Sequence, residues 1–440
     1  MMRRRVTTET AATQTSPHVI DYAAMPEDAQ LRAQPAKRAL VFALTWTAYA
    51  SYYFGRKGFP VVKSTLQERL GLSVGMLGWI DTGYLAAYAA GQFLSGVVGD
   101  RIGSRKLIGF GMLGVAAACA AFGLAPVAWL FLLTYILNGL FQSSGWPGTV
   151  KAMGSWFTQK ERGTVMGVWS TCYQAGGLVA TAVATFLFVH FGWRWAFLGP
   201  AIIIALIGLL NLLLLPERSS TRAPVPPPGD PASAGGPLPR PEPSTNILHS
   251  PVLWSLSSAY FCLKLIRYSI LFWLPYYLNT VLGYSKAQAG YQSISFEVGG
   301  IIGSIVIGFI SDKYFPGRRR YVASVMVAAL AVALLLYTRL APISVLLNFC
   351  GMALVGFCLF GPDTLISGAA AQDIGGKHDV AKAAGFINGF GSTGAIFQGL
   401  VTSGVSAKFG WDVLFYVFVA LALLSSVALL IGKRPAHEGT

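Results

Sequence analysis

The sequence predicts an all-α membrane protein, with twelve transmembrane helices in two six-helix halves related by pseudo-symmetry. Three observations lead there. The 440 residues are 54% hydrophobic and only 12% charged, with a mean hydropathy of +0.56, whereas a soluble chain carries about 25% charge. Apolar runs of membrane-spanning length recur from end to end, at about 20 residues per crossing. Sequence markers repeat across a proline-rich stretch at nearly one offset.

The elements follow in order. Residues 1–38 are polar and read as a cytoplasmic tail. They lack an apolar core with a cleavage site, so no signal peptide is expected. The opening Met-Met-Arg-Arg-Arg hints at a transit peptide, but Glu9, Asp21, Glu27 and Asp28 speak against one. Six spans follow at 39–62, 77–99, 107–124, 128–150, 163–187 and 195–216, the first half being 39–216. Residues 217–250 hold nine prolines and no apolar run. Such a stretch forms no core and reads as an extended cytoplasmic linker. Six more spans, at 252–282, 288–311, 321–338, 342–370, 383–405 and 411–432, make the second half, 251–432. Residues 433–440 are a second cytoplasmic tail.

The formal charge of +15 invites a nucleic-acid reading. Its distribution refutes that. With both termini placed inside, the inner segments hold 23 of the 33 Lys and Arg, and the outer loops hold six: Lys63, Arg69, Arg194, Lys286, Arg339 and Lys408. This is the positive-inside asymmetry, so the basic balance is mostly topology. The five cysteines all fall within expected spans, without metal-ligand spacing or an obvious disulfide partner.

The halves repeat. Gly96-Val97-Val98-Gly99-Asp100-Arg101 at the end of span 2 returns as Gly308-Phe309-Ile310-Ser311-Asp312-Lys313 at the end of span 8, 212 residues later. Phe191-Gly192-Trp193 returns as Phe409-Gly410-Trp411, 218 later, and Arg56 and Arg267 lie 211 apart. Internal repeats with a midplane site between them are how secondary transporters are organised.

The candidate site is a set of intramembrane cations. Lys264 and Arg267 sit deep within span 7, three residues apart on one helical face. Arg56 and Lys57 form a similar pair in span 1. Each such charge costs about 3 kcal/mol on insertion scales, which marks it as functional or paired. Arg56 could instead snorkel to an interface, and Lys264 and Arg267 could pair structurally with Glu297 or Asp363. Those two acids are expected inside the bundle, for charge balance or proton coupling. Asp81 reads as interfacial. Arginine suits phosphate because its planar fork donates two parallel hydrogen bonds. Two arginines from two halves could clamp one phosphoryl group. Tyr49, Tyr53 and Arg56 share a face of span 1, and Tyr88 and Gln92 share one of span 2.

Gly96-x-x-x-Asp100-Arg101-x-Gly103-x-Arg105-Lys106 resembles the loop 2–3 signature of the major facilitator superfamily, with a weaker copy around Asp312. The resemblance covers essentially 39–432 and implies that family's two-half fold and a cytoplasmic gating role for Gly96, Asp100, Arg101, Arg105 and Asp312. Asp100 stands at a helix C-terminus, where it needs neighbouring cations. Further segments resemble the organophosphate:phosphate antiporters of that superfamily. They are Tyr52-Tyr53-Phe54-Gly55-Arg56-Lys57-Gly58-Phe59, Gly145-Trp146-Pro147, Ser155-Trp156-Phe157 with Glu161-Arg162-Gly163, Phe360-Gly361-Pro362, and Arg267 followed by Tyr268 and Trp273. The resemblance implies that Arg56 and Arg267 bind phosphate. It adds Trp146 and Tyr173 to the substrate-binding candidates Tyr49, Tyr53, Arg56, Lys57, Tyr88, Gln92, Lys264 and Arg267. The chain departs from the glycerol-3-phosphate branch, which has lysine at Gln92, histidine at Tyr173 and tyrosine at Lys264. A lysine at position 264 is more like the eukaryotic sugar-phosphate exchangers.

The expected activity is exchange of an organic phosphate for inorganic phosphate by alternating access, in a bacterial inner membrane, by a monomer. The alternative is a non-transporting sensor of sugar phosphate. A lipid-phosphate enzyme is not expected: His18, His190, His249, His378 and His437 are scattered over loops and termini, with no HExxH spacing. There is no P-loop for nucleotide, and no cofactor, metal or nucleic-acid partner is expected. The partners are phosphate and organophosphate anions and the lipid bilayer.

Overall fold

The computed structural model describes residues 33–157, 162–217, 250–315, 318–366 and 380–431. The proline-rich linker expected at 217–250 falls outside them, apart from Glu217 and Ser250. So do residues 1–32 and all of the C-terminal tail.

Twelve helical spans run along the described chain. Span 1 comprises Pro35–Tyr52 and Phe54–Leu70; span 2 is Val74–Ile102 and span 3 Ser104–Leu124. Span 4 comprises Ala128–Gln142 and Gly145–Trp156, span 5 Arg162–Trp169 and Cys172–Phe191, and span 6 is Trp195–Leu214. Span 7 is Pro251–Thr280; span 8 comprises Lys286–Gln292 and Ile294–Tyr314. Spans 9 to 12 are Arg319–Leu340, Val345–Thr364, Val380–Phe409 and Trp411–Leu430.

Seven of these, spans 3, 5, 6, 8, 9, 10 and 12, contain helices long and apolar enough on their own to cross a membrane. The other five carry charges, breaks or many polar residues. They include spans 1, 2, 7 and 11, which meet across the middle of the bundle. Polar sequence is thus placed inside, where protein rather than lipid surrounds it.

Within the first half, span 2 packs on span 4 and span 3 on span 6. Within the second, span 7 packs on span 11, span 8 on span 10 and span 9 on span 12. Span 8 meets span 10 with almost no separation. A methyl group on Gly299 or Gly303 would overlap the backbone of Ala353 or Phe357, so small residues set this contact.

Spans 1 and 7, 2 and 11, and 5 and 8 join the halves. An apolar cluster bridges the seam: Phe59, Leu66, Leu77 and Tyr84 from the first half, with Phe272, Trp273, Tyr276 and Ala395 from the second. Tyr276 donates to Gln67 at 2.5 Å and Lys286 to Glu68 at 2.5 Å. These contacts seal the end of the bundle that carries the turns between spans 1 and 2 and between spans 7 and 8.

Two sequence expectations need correcting. Span 1 does not stop at residue 62; its helix continues to Leu70 and ends on Gly71, whose φ of 66° closes it in the left-handed conformation. Lys63 is therefore not a loop residue but a fully buried helical one. Asp81 is not interfacial either. It is fully buried and ion-paired with Lys63. Mutual pairing is what lets a helix carry either charge so deep.

A buried cation cluster between the halves

Arg56 owes its place to local chemistry. Pro60, inside the span 1 helix, has no N–H to offer the Arg56 carbonyl. The Tyr135 hydroxyl donates to that carbonyl instead, at 3.1 Å. Asn138 donates to the Gly55 carbonyl at 2.8 Å and accepts from Gln142 Nε2 at 2.8 Å. The amide of Gln142 is thereby turned with its oxygen toward Arg56. Gln142 Oε1 accepts from Arg56 Nε at 3.0 Å, from Arg56 Nη2 at 2.8 Å and from the Tyr84 hydroxyl at 2.8 Å. The guanidinium lies over the rings of Tyr53 and Tyr88, 4.6 and 5.5 Å from their centroids. It is fixed without a carboxylate, and its Nη1 makes no hydrogen bond among the described residues.

Arg267 approaches from the second half. Its Nη1 donates to Asp363 at 2.9 Å, and the group lies 4.3 Å from the Phe360 ring centroid. A chain of rings links the arginines: Tyr88 to Tyr84 at 6.4 Å, Tyr84 to Phe272 at 6.1 Å, and Phe272 to Tyr268 at 6.0 Å. Lys57 crosses the seam and meets Glu297 at 2.5 Å. Lys264 donates to Asn388 Oδ1 at 2.7 Å and Ser392 Oγ at 3.1 Å, and stands over Tyr260. The two acids are thus taken by Lys57 and Arg267, whereas amide and hydroxyl oxygens hold Arg56 and Lys264.

On the side of Arg56 away from the sealed end lies an aromatic box. Tyr49 contacts Tyr173 at 5.0 Å, Trp169 at 5.3 Å, Trp146 at 6.0 Å and Tyr53 at 6.3 Å. Tyr173 is half-buried and Trp146 is exposed, whereas Tyr49 and Trp169 are buried. Gln92 is also half-buried, and no hydrogen bond joins it to the cluster among the described residues.

Sequence reasoning named the cations but missed Gln142, Asn138, Tyr84 and Trp169. A signal existed for two of them: Asn138 and Gln142 are amides one turn apart in an apolar helix. Of the gating candidates, the side chains of Asp100 and Asp312 lie outside those described. Around them, Gly96 ends no helix, Arg101 is exposed, and Lys151 donates to the Gly99 carbonyl at 2.8 Å. The Arg105 backbone N–H donates to Glu217 at 3.2 Å, which sets a carboxylate at the N-terminus of span 3.

Twelve spans, a polar seam between two halves and a charged cluster at mid-depth define a multi-pass membrane protein of transporter architecture. The Major Facilitator Superfamily profile matches residues 45–378. A protein provisionally named glycerol-3-phosphate transporter 2 in Arabidopsis thaliana is 34% identical, over 89% of this chain and 86% of its own. Sugar phosphate exchanger 3 of Homo sapiens is 30% identical, over 90% and 95%. A crystal structure of a bacterial homolog of the human lysosomal transporter Spinster, inward-facing and occupied, aligns with a TM-score of 0.69 at 17% identity, covering 90% of this chain and 95% of that one. The chain belongs to the Major Facilitator Superfamily and has its fold; its similar relatives are glycerol-3-phosphate transporters and sugar phosphate exchangers.

Proposed function

We propose that the protein exchanges an organic phosphate for inorganic phosphate by alternating access. One observation carries this reading: the charge balance of the cluster. Arg56, Lys57, Lys264 and Arg267 face only Glu297 and Asp363 among the described residues. Two positive charges remain, the complement of a phosphate dianion. Arg56 and Arg267 take the phosphoryl group from opposite halves, and the aromatic box around Tyr49, Trp146 and Tyr173 takes the organic part. An anion bound there draws the halves together. An empty cluster repels itself and crosses poorly, which makes the cycle an exchange. Asp100, Arg101, Arg105 and Asp312 are assigned the gate on the opposite end. The names of the relatives support organophosphate anions as substrates. With both termini cytoplasmic, in a bacterial plasma membrane, the sealed end faces outward and the molecule is a monomer open to the inside.

The test is uptake into proteoliposomes. Labelled glycerol-3-phosphate or a hexose phosphate should enter vesicles loaded with phosphate and not enter phosphate-free ones. Equal uptake into both would overturn exchange. Binding with no uptake in either would make the protein a sensor.

A further inference from the structure

The ion pair of Lys63 and Asp81 plays no part in the cluster described so far, yet its placement is unusual. Both residues belong to the first half, and both are fully buried. Their cover comes from the second half. The Trp273 ring of span 7 lies 3.8 Å from Lys63 Nζ, and Phe272 lies behind it at 5.9 Å. Gln398 of span 11 and the Trp273 indole border Asp81. Here Gly78 and Gly399 bring spans 2 and 11 so close that a methyl on either would overlap the other span. The pair therefore sits on the seam, at the sealed end.

Its register points to the cluster. Lys63 follows Arg56 by seven residues, so it shares that face of span 1, about 10 Å nearer the sealed end. Asp81 precedes Tyr84 and Tyr88 by three and seven residues, on the face of span 2 that borders Arg56. Two parallel strips thus lead from the sealed end to the arginine. Around the pair, Thr82 Oγ1 is buried without a hydrogen-bond partner, and the Trp273 indole and the Gln398 amide of the second half reach the Asp81 carboxylate only at the margin of hydrogen-bond geometry. They suit a place that is wet, and shared, in another state of the molecule.

We propose that Lys63 is a second phosphate-binding cation, an outer subsite used when the halves part at the sealed end. This rests on the exchange reading above. Parting carries Trp273 and Gln398 away with spans 7 and 11 and uncovers the ammonium in line with Arg56. Lys63 then receives the phosphate group of an arriving or departing substrate. Asp81 is the resident counter-ion that takes the ammonium back when the phosphate has moved on and the end closes. A lysine fits this role better than an arginine. Its compact, rotatable donors attract an anion and release it, without a fork that holds on.

The experiment measures phosphate homo-exchange in proteoliposomes of uniform orientation, with half-saturation read separately from each face. The variant is Lys63→Met with Asp81→Asn, which removes both charges and leaves no lone buried ion. Half-saturating phosphate should rise at least fivefold on the face of the sealed end and stay within twofold on the other. Asp81→Asn alone frees Lys63 from its competitor and should lower the value on the sealed-end face. Lys63→Arg keeps the charge pair and guards against a folding failure of the double variant. Being slower to release, it should cut the maximal rate from that face several-fold while the opposite face keeps its half-saturation. Unchanged constants in the double variant, or equal shifts on both faces, would make the pair a structural clip and overturn the proposal. Should the double variant not fold, a Lys63→Arg rate like the wild type would overturn it too. Absence of exchange in the wild type would instead remove the exchange reading itself.

Discussion

Gln142 is the hinge of the site at the scale of a single residue. Its carbonyl oxygen accepts three hydrogen bonds, two from Arg56 and one from Tyr84. An amide orients the guanidinium without cancelling its charge. Gln142→Glu should therefore abolish phosphate exchange while the protein still folds, because a carboxylate of the same shape would pair with Arg56 in the anion's place. Exchange assays run beside thermal melts in detergent check this; near-normal exchange would show that the Arg56 charge is not what substrate meets. Arg56→Lys should also fail, by on the order of a hundredfold in exchange, since losing charge-assisted bonds worth roughly 3 kcal/mol corresponds to that factor. Arg56 and Arg267 were legible in the sequence because charge in an apolar run is conspicuous. Gln142 was not, because a neutral amide in a helix gives no such contrast, and its partner lies 86 residues away.

Span 1 shows what an element can hide. Its apolar run weakens at Lys63, and by composition alone it ends there. The helix goes on because Asp81, 18 residues later, neutralises the lysine. The start and type of most spans were readable from their length. The breaks at Tyr53, at Ser143–Ser144, at Ser170–Thr171 and at Ser293 were not, because they depend on packing against neighbouring spans. Pro60 was visible, but its consequence needed the fold: the Arg56 carbonyl it leaves free is met by Tyr135. Tyr135→Phe should accordingly destabilise the protein by about 1–3 kcal/mol, the cost of an unpaired buried carbonyl. In a Pro60→Ala background the same change should cost much less, because residue 60 then supplies the missing N–H. A double-mutant cycle on melting temperature reads the difference, and equal costs in both backgrounds would refute the link.

For the whole molecule, the decisive feature is the asymmetry of the seam. Lys57–Glu297, Gln67–Tyr276 and Glu68–Lys286 join the halves from the centre to one end. Glu297→Gln leaves Lys57 buried without a counter-charge, a penalty on the order of 3–5 kcal/mol against the sealed state. The sealed end should then open more often. A cysteine placed at Ser403, in a background without the native exposed Cys350, should react several-fold faster with a membrane-impermeant thiol reagent from that face. An unchanged labelling rate would show that the bridge does not hold this end shut. The two-half arrangement was foreshadowed by the repeats around Gly96 and Gly308. Which end is closed was not, since the charge asymmetry distinguishes inner from outer loops but not open from closed, and only the cross-seam partners do that.

Those partners also set a timetable for the chain as it is made. Synthesis proceeds from the N-terminus, and early segments fold before late ones exist. Lys63 finds Asp81 after 18 residues, within the next span. Arg267 waits 96 residues for Asp363, and Lys57 waits 240 for Glu297. The nascent first half must therefore enter the bilayer with Lys57 uncompensated, held in place by its neighbours or by the insertion machinery until span 8 emerges. Of these cations, Lys57 waits longest for its counter-charge, which only the second half supplies.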